Sequence, residues 1–207
     1  MSKVAILQSN YIPWKGVFDM INMVDIFVFL EDVDFTKRDW RSRNKIKTAN
    51  GEIWLTVPVK KSIRGTKIHE IEIHNNGWQE KHFKTIKMAY TKSRGFNDYL
   101  PLLEDIYLNR TWENLSQLNK FITKRISELL GITTQFINST ELETQGTKDD
   151  KLIEICKRLN AKSYLSGPAA KYYINPDKFK TENIGLEYII YDYPKYSQLY
   201  GTFNHFV

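Results

Sequence analysis

The stretch VAILQSNYIPWKGVFDMINMV, which runs from Val4 to Val24, decides the predicted fold. It opens with an unbroken apolar run that ends at Leu7, and such a run is typical of a strand buried on both faces. A polar loop follows as far as Gly16, and apolar residues then recur at roughly helical spacing up to Val24. Strand, loop and helix in this order form the first half of a βαβ unit.

A second apolar run, Ile26 to Leu30, also ends in polar residues, from Glu31 to Asp34. In open α/β sheets, ligands bind outside the carboxyl ends of the strands. We therefore expect the loops after Leu7 and Leu30 to lie side by side at one site.

The remaining elements extend this pattern. Asn50-Gly51 signals a hairpin between two strands, and Ile68 to Ile73 is expected to form a further strand. The apolar period becomes helical at about residues 78–131, and the last third returns to alternating strands and helices. We predict an α/β fold with a Rossmann-like, mainly parallel sheet flanked by helices, a β-rich extension and a helical insertion, all in a single domain of residues 1–207.

The composition fits a globular protein rather than a disordered one, with 42% hydrophobic and 14% aromatic residues. No apolar run approaches the ~20 residues that a membrane-spanning helix needs, and the first residues do not have the pattern of a secretory signal. The single cysteine, Cys156, agrees with a reducing compartment. These features predict a cytoplasmic protein without a membrane span.

The common motifs for dinucleotides, nucleoside triphosphates, zinc and serine nucleophiles do not occur in the sequence. His69 and His74 have no partner at metal-ligand spacing, and we expect both at the surface. The sequence thus predicts no metal site and leaves any cofactor unknown.

The net charge of +6 is concentrated in one basic segment, from Lys37 to Lys47. In an extended conformation Arg41, Arg43, Lys45 and Lys47 share one face, because side chains alternate along a strand. Such a row can bind phosphate or carboxylate, or it can be the solvated edge of a sheet. A nucleic-acid contact is the less favoured reading, because the basic residues are concentrated rather than spread over a face.

The chain resembles the WbqC-like family. The motifs that carry the resemblance are Gln8, Tyr11, Pro13-Trp14, Gly16 and Phe18; Asp32 with Lys37 and Trp40; Arg43-Asn44-Lys45-Ile46; Leu55 to Val59; Trp78 with His82; and Tyr164 to Gly167. They occur in the family's order along nearly the whole chain. Ser9 stands where the family usually has Pro.

The resemblance implies a cytosolic enzyme of surface glycan (O-antigen-type) biosynthesis. We expect a transferase that adds an acyl or aminoacyl group to a nucleotide-linked amino sugar, with His82 or Asp32 as the proton acceptor. A histidine on an apolar helix face is usually a core residue, and this alternative stays open for His82. The alternatives are a basic nucleic-acid- or nucleotide-binding module without catalysis, or a non-catalytic component of glycan assembly.

The expected partner is an anionic small molecule, a nucleotide or nucleotide-linked sugar. Arg43 and Lys45 are expected to hold phosphate, and Tyr11 and Trp14 to stack on a ring. Ser166-Gly167 either binds an anion or forms a tight turn in which Gly167 supplies a positive φ. The full set of expected substrate-binding residues is Gln8, Tyr11, Trp14, Lys15, Lys37, Trp40, Arg43, Asn44, Lys45, Ser166, Gly167 and Tyr172.

Overall fold

The computed structural model describes residues 2–205, which form two compact units. The first, here called the sheet unit, contains the chain up to Ser9, Lys15–Val33 and Thr123–Asp192. The second, the hairpin unit, contains Asn10–Trp14, Asp34–Ile122 and the chain from Tyr193 onward.

The helices and strands follow in this order: β1 (Ser2–Leu7), α1 (Lys15–Asn22), β2 (Ile26–Phe29), β3 (Arg43–Thr48), β4 (Gly51–Thr56), α2 (Trp78–Tyr90), α3 (Phe96–Tyr107), α4 (Leu115–Leu129), β5 (Gln135–Asn138), α5 (Lys148–Arg158), β6 (Ala161–Ser166), α6 (Pro176–Thr181) and β7 (Gly185–Tyr188).

The sheet unit contains a five-stranded sheet with the order β5-β2-β1-β6-β7, and every neighbouring pair is parallel. Val4 of β1 pairs with Ile26 of β2 on one side and with Tyr164 of β6 on the other. Numbered along the chain, these strands have the order 3-2-1-4-5, which is that of the Rossmann fold. The structure confirms the predicted Rossmann-like α/β fold, and its topological switch point lies between β1 and β6.

The sheet is covered by apolar side chains on both faces. Val4 and Ile6 pack in one cluster with Ile155 of α5, whereas Ala5 packs in a second cluster with Ile21 of α1. Fully burying a large apolar side chain is worth about 1.5–3 kcal/mol, so both layers of helices stabilise the sheet. Burial on both sides explains why the strand sequences are continuous apolar runs.

The hairpin unit contains the antiparallel pair β3–β4, with α2, α3 and the first part of α4. Residues 49 and 50 form the loop, and Gly51 has a φ of +100°. The strand expected over Ile68 to Ile73 is absent from the described chain, since Ile68–Glu70 is a 3₁₀ helix. Ile68 and Ile71 are both buried, and their spacing of three suits one turn of this helix rather than an alternating strand.

Within residues 2–205, no helix combines the length and apolarity needed to cross a membrane.

Candidate functional site

The outer face of the hairpin brings together three of the predicted binding residues. Lys45 of β3 pairs with Trp54 of β4, and the guanidinium carbon of Arg43 lies 4.3 Å from the centre of the Trp54 ring. The Trp40 ring is 5.5 Å from the Trp54 ring. Both indoles are nearly half exposed, with 47% of Trp40 and 43% of Trp54 open to solvent. We call Trp40, Arg43, Lys45 and Trp54 the hairpin face.

The two cations of the hairpin face differ in their partners. The Lys45 ammonium is 2.8 Å from the Glu52 carboxylate and is partly neutralised by it. The Arg43 guanidinium has no hydrogen bond or ion pair with any residue between 2 and 205, and its contact is the cation–π stack on Trp54. Arg43 is therefore the charge on this face that an incoming anion can neutralise.

Asn44 and Lys37 lie apart from this face. Asn44 is buried, and its amide donates to the carbonyl of Ile12 while its side-chain oxygen accepts from the Lys45 N–H. Ile12 has a φ of +46°, which is unfavourable for a β-branched residue, and the bond from Asn44 helps to hold it there. The exposed Lys37 donates to the carbonyl of Ser62 at 3.1 Å. Asn44 therefore stabilises the local backbone and is not exposed on the surface where a ligand would bind.

Tyr11 lies in a buried hydrogen-bonded chain rather than at a surface. Its hydroxyl is 2.8 Å from Nδ1 of His82 and 2.6 Å from the Tyr107 hydroxyl. All three side chains are buried, and Tyr11 is 0% exposed. Because no face of its ring is open, Tyr11 does not offer the stacking surface expected from the sequence.

Burial determines the protonation states of His82, Tyr11 and Tyr107. Burial, and to a smaller extent the charge of Lys81, lower the pKa of His82, a backbone hydrogen bond at Thr56 opposes both, and the net result is a pKa of about 4. The neutral ring has a single N–H, and the bond to Thr56 places it on Nε2, so that Nδ1 accepts from Tyr11 and Tyr11 accepts from Tyr107. Burial also raises the pKa of Tyr11 and of Tyr107, which keeps both hydroxyls protonated. In this arrangement both nitrogens of His82 are engaged.

A cavity of about 360 Å³ lies between β4 and α2. His82 and Lys81 of α2 contribute to its wall, and so do Trp54 and Thr56 of β4. The residues lining it are Ile53, Trp54, Leu55, Thr56, Pro58, Asn76, Trp78, Lys81, His82 and Thr85. Trp54 belongs both to this cavity and to the hairpin face.

The acidic residues after β2 are held by neighbouring strand ends of the sheet unit. Glu31 is fully buried and accepts from the N–H of Ser9 at 2.9 Å and from its hydroxyl at 3.1 Å. These bonds confirm that the loops after β1 and β2 lie side by side. A proline at position 9 could not donate either bond, because it has neither an N–H nor a hydroxyl.

Asp32 is ion-paired with the buried Lys151 at 2.6 Å and accepts from the Ser139 hydroxyl. Burial alone would raise the pKa of Asp32, but the bonds from Lys151 and Ser139 outweigh it and lower that pKa. An ionised carboxylate of low pKa is a weak proton acceptor, so Asp32 is placed to hold Lys151 rather than to remove a proton from a substrate.

Ser166 is the last residue of β6, and Gln8 and Gly167 directly follow β1 and β6, the two strands that flank the switch point. Gly167 has a φ of −72°, so the interpretation of this turn as one that needs positive φ is wrong. A Cβ at Gly167 would meet nothing within 4 Å, whereas the buried Ser166 hydroxyl donates to the Tyr164 hydroxyl at 3.2 Å. Tyr172 lies beyond in a short 3₁₀ helix and is 92% exposed.

Two further predicted residues lie near the start of α1. Lys15 is the first residue of that helix and is half-buried. Trp14 belongs to the hairpin unit, where its indole N–H donates to the carbonyl of His205 and its ring meets Tyr193 edge-on at 5.8 Å. Trp14 thus contacts the C-terminal segment of the chain.

Three residues important to these sites were missed by the sequence analysis. Trp54 could have been found, because it alternates with the inward-facing Ile53 and Leu55 across from the basic strand. Tyr107 and Lys151 gave no signal, since their partners are distant in sequence. Among residues 2–205, no three His, Cys, Asp or Glu side chains are grouped to hold a metal ion.

Comparison with known proteins gives two matches. The family model described as WbqC-like protein family matches residues 8–207. Uncharacterized protein Rv1507c of Mycobacterium tuberculosis (strain ATCC 25618 / H37Rv) is 40% identical over 208 residues, which cover 99% of this chain and 89% of that protein. No solved structure matches the chain.

Proposed function

The chain belongs to the WbqC-like protein family, and on that premise we propose that it is a cytosolic enzyme of surface glycan biosynthesis that acts on a nucleotide-linked sugar. The observation that carries the proposal is the Arg43 guanidinium, which is stacked on a half-exposed Trp54 and has no anionic partner among residues 2–205. Aromatic faces stack on the rings of a nucleotide, and guanidinium groups bind its phosphates bidentately.

The charges around the basic segment favour a small anion over a nucleic acid. Arg41 is paired with Asp39, Lys45 is paired with Glu52, and the Lys47 ammonium donates to Gln198 and to the Thr202 carbonyl. Nucleic-acid binding draws on many free cations that neutralise successive phosphates. Of the three cations on β3, Arg43 is the one with no hydrogen bond or ion pair to residues 2–205, and one free guanidinium suits a single diphosphate.

The reaction we propose is acyl or aminoacyl transfer from an activated thioester to the amino group of the sugar. The amine nitrogen forms a bond to the acyl carbon, the carbon–sulfur bond breaks with its electron pair moving to sulfur, and the thiolate takes the proton lost by nitrogen through solvent. His82 acts in this scheme as a positioning residue, because its bonds to Thr56 and Tyr11 fix β4 beside the cavity. Asp32 likewise positions Lys151.

Isothermal titration of the whole chain with a nucleotide-linked amino sugar tests the binding step. We expect Arg43→Ala to weaken binding by about 10- to 100-fold, which corresponds to the loss of one charged hydrogen-bonding contact. Arg94→Ala is the matched control, since Arg94 is an exposed arginine of the same unit. Release of free thiol from an acyl thioester in the presence of the amino sugar tests the transfer step.

Two outcomes contradict the proposal. One is equal binding by the Arg43→Ala and Arg94→Ala variants. The other is binding of a random oligonucleotide alone, with an affinity that falls steeply as salt is added, which favours the nucleic-acid module instead.

A further inference from the structure

Along the β3–β4 hairpin, the backbone N–H and C=O groups of successive residues point alternately toward the partner strand and away from it. The two-residue loop makes Thr48 and Gly51 a hydrogen-bonded pair, so every second pair along the ladder is bonded in the same way. Trp54 falls between bonded pairs, and its N–H and C=O therefore point away from β3. Neither group has a partner elsewhere in residues 2–205, whereas the backbone of Thr56, two residues on, is bonded to His82.

This free backbone edge lines the 360 Å³ cavity. Four consecutive residues of β4, from Ile53 to Thr56, contribute to the wall. Consecutive side chains of a strand point to opposite faces, so a wall that includes all four runs along the strand edge. α2 crosses the hairpin from His82, at the edge of β4, to Tyr90, whose hydroxyl accepts from the N–H of Lys47 at the far edge of β3.

The opposite wall of the cavity supplies a positive charge and apolar surface. The Lys81 ammonium forms no ion pair or hydrogen bond with the described chain. The buried Trp78 of α2 adds apolar surface on this wall, and Ile53 and Pro58 add apolar surface elsewhere in the lining. A matching ligand group has one donor and one acceptor to pair with Trp54, an apolar portion, and oxygen atoms that face Lys81.

We infer that this groove binds the acylamino group that the proposed transfer forms on the sugar, with the amide N–H and C=O of that group pairing with the backbone of Trp54. The inference rests on the proposed function and names the class of its product, a nucleotide-linked sugar that bears an amide. The indole of Trp54 lies on the hairpin face and its backbone lies in the groove, so one ligand can contact Arg43 and the groove together.

The test compares two nucleotide-linked ligands, UDP-N-acetylglucosamine and UDP-glucose, which differ in the acylamino group. We expect the first to bind at least about tenfold more tightly, as two hydrogen bonds would give. Thr85→Phe fills the groove and should bring this ratio close to one. Thr85→Val keeps the side-chain volume and should preserve the ratio. Arg43→Ala should weaken both ligands by the same factor.

The outcomes separate this inference from the proposed function. Equal affinities in the wild type, with Arg43 dependence retained, overturn the groove assignment and leave the nucleotide site standing. If neither ligand binds, the proposed function fails, and NMR of the ¹⁵N-labelled chain with free N-acetylglucosamine decides the groove. A shift of the Trp54 amide that glucose does not cause and that Thr85→Phe abolishes supports the groove, and no shift overturns it.

Discussion

Removing one oxygen atom from Tyr11 tests the buried chain of Tyr107, Tyr11 and His82. In Tyr11→Phe, the ring and its packing stay, but the hydroxyl that accepts from Tyr107 and donates to His82 is lost. Two buried polar atoms then have no partner, the Tyr107 O–H and the Nδ1 of His82. Both residues are almost completely buried, so water cannot replace the missing hydroxyl without rearrangement.

The donor–acceptor direction of these hydrogen bonds determines how much each substitution lowers the free energy of unfolding. An unsatisfied buried polar group costs about 1–3 kcal/mol, so Tyr11→Phe should lower the free energy of unfolding by about 3 kcal/mol. Tyr107→Phe should cost only about 1 kcal/mol, because the Tyr11 hydroxyl keeps its bond to His82. The double variant should be no less stable than Tyr11→Phe, because it no longer contains the orphaned Tyr107 hydroxyl, and the two effects are therefore not additive.

Urea unfolding followed by tryptophan fluorescence measures these effects. The five tryptophans, at positions 14, 40, 54, 78 and 112, all lie in the hairpin unit, so their emission reports on that unit. Tyr99→Phe, at an exposed tyrosine of the same unit, is the control and should unfold like the wild type. A loss below about 1 kcal/mol in Tyr11→Phe, or equal losses in Tyr11→Phe and Tyr107→Phe, would refute the assigned direction.

Three further perturbations have defined outcomes. Asp32→Ala should cost about 3–5 kcal/mol by circular dichroism, because it leaves the buried Lys151 ammonium without its carboxylate. Because folding lowers the pKa of Asp32, its carboxylate stabilises the folded protein at pH values above the unfolded carboxyl pKa of about 3.9, and this contribution is lost as pH falls through the lower folded pKa. In Asp32→Asn, the free energy of unfolding should therefore depend less on pH in this acidic range. His82, with a pKa of about 4 against an unfolded value of about 6.5, should make the free energy of unfolding fall by up to about 3 kcal/mol as pH drops between these values, and an NMR titration of its ring should show the low pKa. Lys47→Met removes the bonds from this ammonium to the C-terminal segment and should speed proteolysis within residues 193–205, whereas Lys92→Met, at an exposed lysine, should not.

The sheet could be predicted from sequence because its signals are local. The run from Val4 to Leu7 and the helical spacing after Gly16 are each set by burial within a few residues, and both appear in the structure. The segment around Ile68 could not be assigned in the same way. Its apolar residues satisfy a strand pattern and a 3₁₀ turn about equally, and the choice is made by where the rest of the hairpin unit places Ile68 and Ile71.

The hairpin face was partly predictable, and the buried chain was not. Alternation along a strand is enough to put Arg43 and Lys45 on one face, and the structure agrees. Tyr11 lies in a polar loop and was interpreted as a stacking surface, because its partners are remote in sequence. His82 lies 71 residues further along the chain and Tyr107 lies 96, so no local pattern indicates that the Tyr11 ring is buried.

The carboxyl edge of the sheet shows why polar residues at strand ends do not by themselves mark a ligand site. Next to β2, the polar groups are used within the protein, since Glu31 is bound by Ser9 and Asp32 is bound by Lys151. Next to the switch point the edge is open, because the Gln8 side chain has no hydrogen bond to residues 2–205 and the space beside Gly167 is empty to 4 Å. Ligands of such sheets bind at the switch point, so the polar groups that remain unpaired are at the position where the fold favours binding. The strand-end rule predicted one site at the loops after Leu7 and Leu30, but hydrogen bonding within the protein occupies the carboxylates after β2 and leaves unpaired polar groups at the ends of β1 and β6.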